Sequence, residues 1–305
     1  RARREKRQGR QRSDRRAGRA ALTAPSADRP LLECNGYKLD LSRPQVMGVL
    51  NVTPDSFSDG GDFFSLEKAV QHAEQMVADG AAVIDIGGES TRPGAEPVGE
   101  EEELLRVIPV IEALRGRLQV PVSIDTQKPG VMRAAIAAGA GLINDVNALQ
   151  APGALEAAAE CGVPVCLMHK QGDPRTMQEN PHYDDVVTQV SAYLEARVSA
   201  CEAAGIGRNR IILDPGFGIG KSVGHNLDML ARLDELVALG LPVLVGLSRK
   251  SMIGKLLGLE VGERLPASLA LAVLAVERGA RLVRVHDVAA SWQALQMVAA
   301  VRYVE

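Results

Sequence analysis

From about residue 44 onward, short apolar runs of four to seven residues alternate with longer stretches in which apolar positions recur every three or four. Short runs rich in Val, Ile and Leu read as buried strands, and the longer stretches read as amphipathic helices. The runs fall at 46–51, 82–87, 122–125, 142–145, 164–169, 210–214, 242–248 and 282–286, and helical periods begin near Ser65, Glu100, Pro129, Gly153, Tyr183, His225, Arg264 and Asp287. Seven of the helices lead to another strand and end near Gly80, Gly116, Gly139, Gly162, Gly205, Gly240 and Gly279, where glycine adopts a helix-stopping left-handed backbone without a Cβ clash. Eight such units predict an α/β fold, an eight-stranded parallel (β/α)8 TIM barrel. The rival, an open doubly wound sheet, is disfavoured because no strand leads into the Gly-x-Gly-x-x-Gly turn of dinucleotide sites. Ahead of the barrel, LLEC and YKLDL flank Asn35-Gly36, a dipeptide suited to a two-residue turn, so a small N-terminal β-hairpin is expected.

Composition sharpens this picture. With 46% apolar but only 3% aromatic residues, the core must be built from Ala, Val, Leu and Ile. No uncharged apolar run approaches the roughly 20 residues of a membrane helix, which implies a soluble, cytoplasmic chain with no membrane partner. Cys34, Cys161, Cys166 and Cys201 form no Cys-x-x-Cys pair and are too sparse for a disulfide framework, so buried reduced thiols are expected. The first thirty residues hold eleven Lys/Arg against three Asp/Glu, a net +8 that leaves −11 on the remainder. Such a segment cannot bury enough apolar surface to order itself, so residues 1–30 read as a disordered Arg-rich tail and 31–305 as the catalytic domain. The tail is read as a segment with no part in the chemistry and no nucleic-acid partner; nucleic-acid attachment and targeting are the alternatives.

In a (β/α)8 barrel the strand ends converge on one mouth. Asn51, Glu89, Thr91, Arg92, Asp125, Asn144, Asp145, His169, Asp214, Ser248, Arg249, Lys250, Arg284 and His286 all fall at or just past such ends. Any single Asp, Asn or Ser there is as readily a helix cap. Capping does not account for Arg284 and His286, two apart in an apolar strand and so on one face, where they call for an anion. One half of the mouth, Arg284, His286, Asn51 and Arg92, suits a phosphate or diphosphate, with the Asn51 oxygen available to Mg²⁺. The other half, Asp125, Asn144, Asp214 and Lys250, suits a flat heterocycle with several N–H donors. Two long loops rich in Gly, Pro, Asp and Ser, at 51–64 and 87–99, have the length of binding loops.

The stretches VMGVLNVTPDSFSDGG, IDIGGESTRPGA, SIDTQKP, INDV, CLMHKQGDPRTMQ, LDPGFGIGK, GLSRKSMIG and RVHDV occur in this order. Together they resemble the bacterial dihydropteroate synthases, over about residues 31–303. The resemblance implies a transferase of folate biosynthesis that condenses 6-hydroxymethyl-7,8-dihydropterin diphosphate with p-aminobenzoate and releases diphosphate, with Mg²⁺ as cofactor. It also implies a homodimer and a sulfonamide target. By the same resemblance Asn51 is the Mg²⁺ ligand, and Arg284 and His286, with Val285 between them, hold the diphosphate. Asp125, Asn144, Asp214 and Lys250 bind the pterin, on which Arg284 also stacks, with Asp125, Asp214, Lys250 and Arg284 closest to the chemistry. Thr91 contacts the pterin substrate; Phe57, Asp59, Thr91, Arg92 and Pro93 enclose the aminobenzoate, whose carboxylate Ser251 contacts. Two positions depart from the family's pattern: Ile219 replaces a common Phe at the aminobenzoate wall, and Lys170 replaces a common apolar residue.

The reacting methylene lies between an electron-rich ring and a diphosphate, so ionisation to a ring-delocalised cation is the expected route, and an aniline nitrogen needs no strong base to attack. A methyltransferase barrel binding a methylated folate would need no diphosphate anchor, and the loop NVTPDSFSDGG and the Ser-Arg-Lys segment argue against it; a non-catalytic pterin-binding paralogue would lose loop residues or anion ligands, whereas Asn51, Arg92, Lys250, Arg284 and His286 are all present.

Overall fold

In the computed structural model, residues 30–52, 61–89, 97–172 and 181–302 are described, the side chains of 61–65 excepted. The N-terminal tail and positions 57, 59 and 91–93 lie outside the described residues. A hairpin of β1 (Leu31–Cys34) and β2 (Tyr37–Asp40) comes first. Asn35 and Gly36 carry φ of 51° and 90°, the paired positive angles of the tight turn that the dipeptide predicts.

Eight parallel strands follow: β3 (Gln45–Asn51), β4 (Val83–Gly87), β5 (Val122–Asp125), β6 (Leu142–Asp145), β7 (Val165–Met168), β8 (Ile211–Asp214), β9 (Leu244–Val245) and β10 (Leu282–Val285). They form one sheet in the order β8-β7-β6-β5-β4-β3-β10-β9. A parallel bridge from Leu213 to Val243, with Leu213 N–H donating to the Pro242 carbonyl at 2.9 Å, joins the two ends and closes the ring. The last strands therefore enclose a barrel, as the eight-fold repeat predicts. Around it lie α1 (Gly61–Ala78), α2 (Glu100–Leu114), α3 (Pro129–Ala138), α4 (Ala154–Cys161), α5 (Val186–Ala203), α6 (Val223–Ala231), α7 (Leu233–Val237), α8 (Ser251–Leu257), α9 (Leu265–Glu277) and α10 (Val288–Arg302). The seven glycines that mark helix ends in the sequence all sit at positive φ, from 70° at Gly162 to 128° at Gly139.

Two segments differ from the sequence pattern. The apolar run at 242–248 contributes only two ladder residues, because the Val243 carbonyl already accepts from the N–H groups of both Arg281 and Leu282 and the chain then turns towards the mouth, reaching φ 58° at Arg249. That turn starts α8, a short helix the pattern does not separate from α9. The helix expected near His225 is broken into α6 and α7 at Arg232, whose guanidinium joins Asp185, Asp228 and Glu235.

Alternation along each strand creates two chemically distinct faces. Outward residues such as Ile84, Ile86, Ile124, Ile143, Leu167, Ile211, Leu213 and Val283 pack against the helices in the main core. Inward residues change character along the barrel axis. At the amino end, Met47, Val83, Leu142, Cys166, Ile212, Leu244 and Leu282 form an apolar plug with Leu32, Cys34, Leu39 and Leu41. The hairpin is thus the stopper of the barrel floor, which a ring of eight strands otherwise leaves open. All four cysteines are free thiols, and burial pushes Cys34 up to about 12, which keeps it an inert thiol.

Candidate active site

One or two positions further along the same inward faces, the side chains turn polar. Asp85 follows Val83, Ser123 and Asp125 line β5, Asn144 follows Leu142, Asp214 follows Ile212, and Arg284 follows Leu282. The barrel therefore delivers these groups to one place from strands up to 199 residues apart in the chain.

Arg284 is the hub. Its Nε donates to Asp85 Oδ2 at 2.6 Å and its Nη2 donates to Asp125 Oδ2 at 2.8 Å. Asp85 is wholly buried, and the same oxygen also accepts from Asn144 Nδ2 at 3.1 Å. Burial works against the Arg284 charge, but the carboxylates of Asp85 and Asp125 outweigh it and raise the guanidinium above its usual range. Burial pushes the Asp125 carboxyl up to about 7 even though Arg284 pulls it down. Asp214 is also raised by burial, opposed by the Gly216 N–H that donates to its Oδ1 at 2.7 Å and by Lys250. Lys250 is lowered to about 8, by burial first and by Arg284 second. Charge density this high in a buried space marks a functional cluster, because paired groups alone would be cheaper to replace with apolar ones.

Asn51 ends β3, and its Oδ1 and Asp125 Oδ2 lie equally close over Gly87, each 3.8 Å from where a Cβ on that glycine would stand. His286 lies just past β10, with its N–H donating to Ser248 Oγ at 3.2 Å and its Nδ1 3.1 Å from the same oxygen. Ser251, exposed, begins α8 beside Lys250. Asp145, Glu89, Arg249 and His169 do not join the cluster. The Asp145 carboxylate points outward and accepts from the N–H groups of Asn147 and Leu149, shaping the turn there. Arg249 is held by Asp287, and Glu89 by Lys128. His169 faces Lys221. The Val285 side chain alternates outward into the main core, leaving only its backbone at the mouth. Arg284 is also less available than the sequence implies: an anion reaching it has to displace or join Asp125.

Two features of the cluster have no counterpart in the sequence reading. Asp85 stands in the middle of the apolar run AVIDIG, and period-two counting from Val83 would have placed it inward. Glu103, completely buried on α2, pairs with Lys128, which also holds Glu89; no mouth-ward pattern announces it. Among the described residues, the Oδ1 atoms of Asp85 and Asn144 and the Ser123 hydroxyl are buried without a partner in the protein. Unsatisfied acceptors at the floor of a charged cavity fit a ligand edge that carries N–H donors.

A closed (β/α)8 barrel with carboxylates, an amide, a lysine and an arginine gathered at the carboxyl ends of its strands is the architecture of a barrel enzyme acting on a small polar heterocycle. A family model described as pterin binding enzyme matches residues 47–286. The dihydropteroate synthase of Escherichia coli strain K12 is 56% identical over 269 residues, covering 88% of this chain and 95% of that protein. That of Haemophilus influenzae is 54% identical over 269 residues, covering 86% and 98%. Among solved structures, Xanthomonas albilineans dihydropteroate synthase with 4-aminobenzoic acid aligns with a TM-score of 0.86 at 54% identity, covering 91% of this chain and 100% of that one. The enzyme of the same organism in complex with 7,8-dihydropteroate gives a TM-score of 0.83 at 52% identity, covering 90% and 100%. The chain belongs to the pterin-binding enzymes and, among them, to the dihydropteroate synthase family.

Proposed function

We propose that the chain condenses 6-hydroxymethyl-7,8-dihydropterin diphosphate with p-aminobenzoate, giving 7,8-dihydropteroate and diphosphate in folate biosynthesis. The observation that carries this reading is the mouth itself: an acceptor-rich floor built from Asp85, Asn144, Asp125 and Asp214 beside the cations Arg284 and Lys250. A reduced pterin presents ring N–H and amino donors along one edge, and carboxylates accepting parallel N–H bonds suit that edge.

Asp125, Asn144, Asp214 and Lys250 hold the ring in this reading, and Arg284 and His286 hold the diphosphate, with the Val285 backbone between them. Asn51 fits Mg²⁺ by its chemistry: an amide oxygen that approaches Gly87 as the Asp125 carboxylate does suits a hard cation. When bound, Mg²⁺ would neutralise charge on the diphosphate. Phe57, Asp59, Thr91, Arg92 and Pro93, with Ser251 and the wall at Ile219, enclose the aminobenzoate.

The reaction follows from the charges. The bond between the methylene carbon and the diphosphate oxygen breaks, with the electron pair leaving on oxygen, and the cation left behind spreads into the ring. Asp125 and Asp214, fixed before the reaction begins, stabilise that cation, while Arg284 and His286 meet the departing charge. The aniline lone pair then forms the new C–N bond, and the nitrogen loses its proton afterwards. The reading carries with it a soluble, cytoplasmic homodimer. No described helix is long and apolar enough to cross a membrane, and Leu274, Met297 and Val301 stand exposed on α9 and α10, a surface suited to a second copy.

The test is an assay with both substrates and Mg²⁺ across pH. Dihydropteroate and diphosphate are expected in equal amounts. Asp125 works as a carboxylate, so kcat/KM rises as pH passes about 7, and Lys250 works as an ammonium, so it falls above about 8. Absence of product would refute the reading; a flat profile between pH 6 and 9 would remove the roles given to these two groups.

A further inference from the structure

Lys221 has no part in the chemistry above, yet it is almost fully buried, at 3% exposure. Its Nζ donates to the carbonyls of Gly216 at 3.0 Å and Ile219 at 3.1 Å and lies 2.9 Å from His169 Nδ1. All three partners are neutral, so this is not an ion pair: the ammonium is folded back into the turn that leads to it. Burial lowers Lys221 to about 7 and His169 to about 3, so the imidazole is neutral and its Nδ1 accepts.

The turn from Asp214 to Lys221 is tightly confined. Gly216 has φ 70°, and a Cβ on it would stand 2.0 Å from the His169 carbonyl oxygen; at Gly220 it would stand 2.6 Å from that of Gln171, and at Gly218 2.9 Å from Lys250 Cδ. The turn is thus wedged between the chain after β7 and the Lys250 side chain. Only glycines permit the approach. Asn226 Oδ1 accepts from Gly218 N–H at 2.7 Å, and Tyr183 Oη donates to the Gly220 carbonyl at 2.9 Å. His169 is itself held edge-on against Tyr193, with ring centroids 4.8 Å apart. Asp214 starts the turn, and Ile219 stands at its far side with its carbonyl on Lys221.

We propose that Lys221, braced by His169, is a positioning residue that pins the Gly216–Ile219 segment and so sets the aminobenzoate wall at Ile219 against the pterin-side groups Asp214 and Lys250. The inference rests on the functional reading given above. When Lys221 is removed, Asp214 keeps its own anchor, the Gly216 N–H, and the Gly216 carbonyl still accepts from the Ile219 N–H at 3.1 Å, whereas the Ile219 carbonyl loses the Lys221 donor. The effect therefore concentrates on one substrate.

The test uses the full chain assayed with both substrates and Mg²⁺. Lys221→Met keeps the stem and removes the donors. KM for p-aminobenzoate is expected to rise about tenfold while KM for the pterin diphosphate stays within about threefold. His169→Leu is expected to reproduce part of this rise, and His169→Gln, whose amide oxygen accepts from Lys221, to return KM to within about twofold of the parent. An unchanged aminobenzoate KM in Lys221→Met overturns the proposal, and so does an equal rise in both KM values, which is what a merely loosened fold produces. Should Lys221→Met not fold, the His169 pair decides: identical KM values in His169→Leu and His169→Gln overturn the proposal. A parent that forms no dihydropteroate overturns the functional reading and this inference with it, whereas an active parent with unmoved variants overturns the inference alone.

Discussion

Arg284→Ala is expected to weaken binding of the pterin diphosphate at least about 100-fold, a loss of about 2.7 kcal/mol. Among the described residues the guanidinium is the one group that hydrogen-bonds to both buried carboxylates, Asp85 and Asp125, and it lies on the inward face shared with His286. Removing it subtracts the diphosphate anchor and also strands two carboxylates in the barrel. Breaking a buried pair by deleting one partner costs about 3–5 kcal/mol, so the variant should also unfold at lower denaturant. Titration calorimetry with diphosphate and Mg²⁺ separates the two effects, since a folded variant can be titrated directly. Parent-like affinity in that titration would remove Arg284 from the anion site. Arg284→Lys is expected to fall between the two, because an ammonium keeps the charge but cannot bridge Asp85 and Asp125 in the manner of a planar fork.

The second large effect lies on the other side of the hub. Asp125→Asn preserves shape and removes one negative charge, and Arg284 keeps its bond to Asp85. If the carboxylate stabilises a ring cation, kcat falls about 100-fold or more, within the range seen when a preorganised transition-state interaction is deleted. Diphosphate binding should not weaken, because the change at Arg284 is the loss of a negative charge that an incoming anion has to displace or join. Steady-state kinetics beside calorimetry reads both quantities. Turnover within about threefold of the parent would mean that Asp125 holds the substrate without stabilising its transition state.

Much of this arrangement is legible in the chain because barrels translate sequence position into spatial position directly. A polar residue ending an apolar run reaches the mouth, and Asp125, Asn144, Asp214 and Arg284 do so. The hairpin is equally readable, since Asn35-Gly36 specifies its own backbone. What escapes is two-sided. Asp145, Glu89, Arg249 and His169 also end strands, but their neighbours draw them into local structure: two N–H groups for Asp145, Lys128 for Glu89, Asp287 for Arg249 and Lys221 for His169. Periodicity locates a side chain without saying which partner claims it. Conversely, Asp85 sits mid-strand, where an apolar residue is the default, and its part in the cluster depends on Arg284, 199 positions away. Pairings at that separation are set by the closed ring and by no local pattern. The short ladder of β9 and the break at Arg232 have the same origin, as tertiary hydrogen bonds override an apolar run in one case and a helical period in the other.

A lysine clasp between Glu89 and Glu103 extends the cluster towards the loops. Lys128 lies three residues past Asp125, so one side chain ties the start of the second long loop, at Glu89, to the strand end that carries a pterin-side carboxylate. Glu89 also accepts from the N–H of Val98, at the far end of that loop, at 3.4 Å. The two halves of the mouth are therefore linked through covalent neighbours of the site residues as well as through the cluster itself.

A crystal structure of the chain with bound dihydropterin diphosphate would show whether one mouth holds a leaving anion beside a flat ring. The ring is expected against Asp125, Asn144 and Asp214, with the diphosphate reaching Arg284 and His286 and the Arg284–Asp125 bond of 2.8 Å lengthened or shared. A ligand seated away from these strand ends, with that bond and the Asn144–Asp85 bond unaltered, would contradict the assignment of the mouth as the site of reaction.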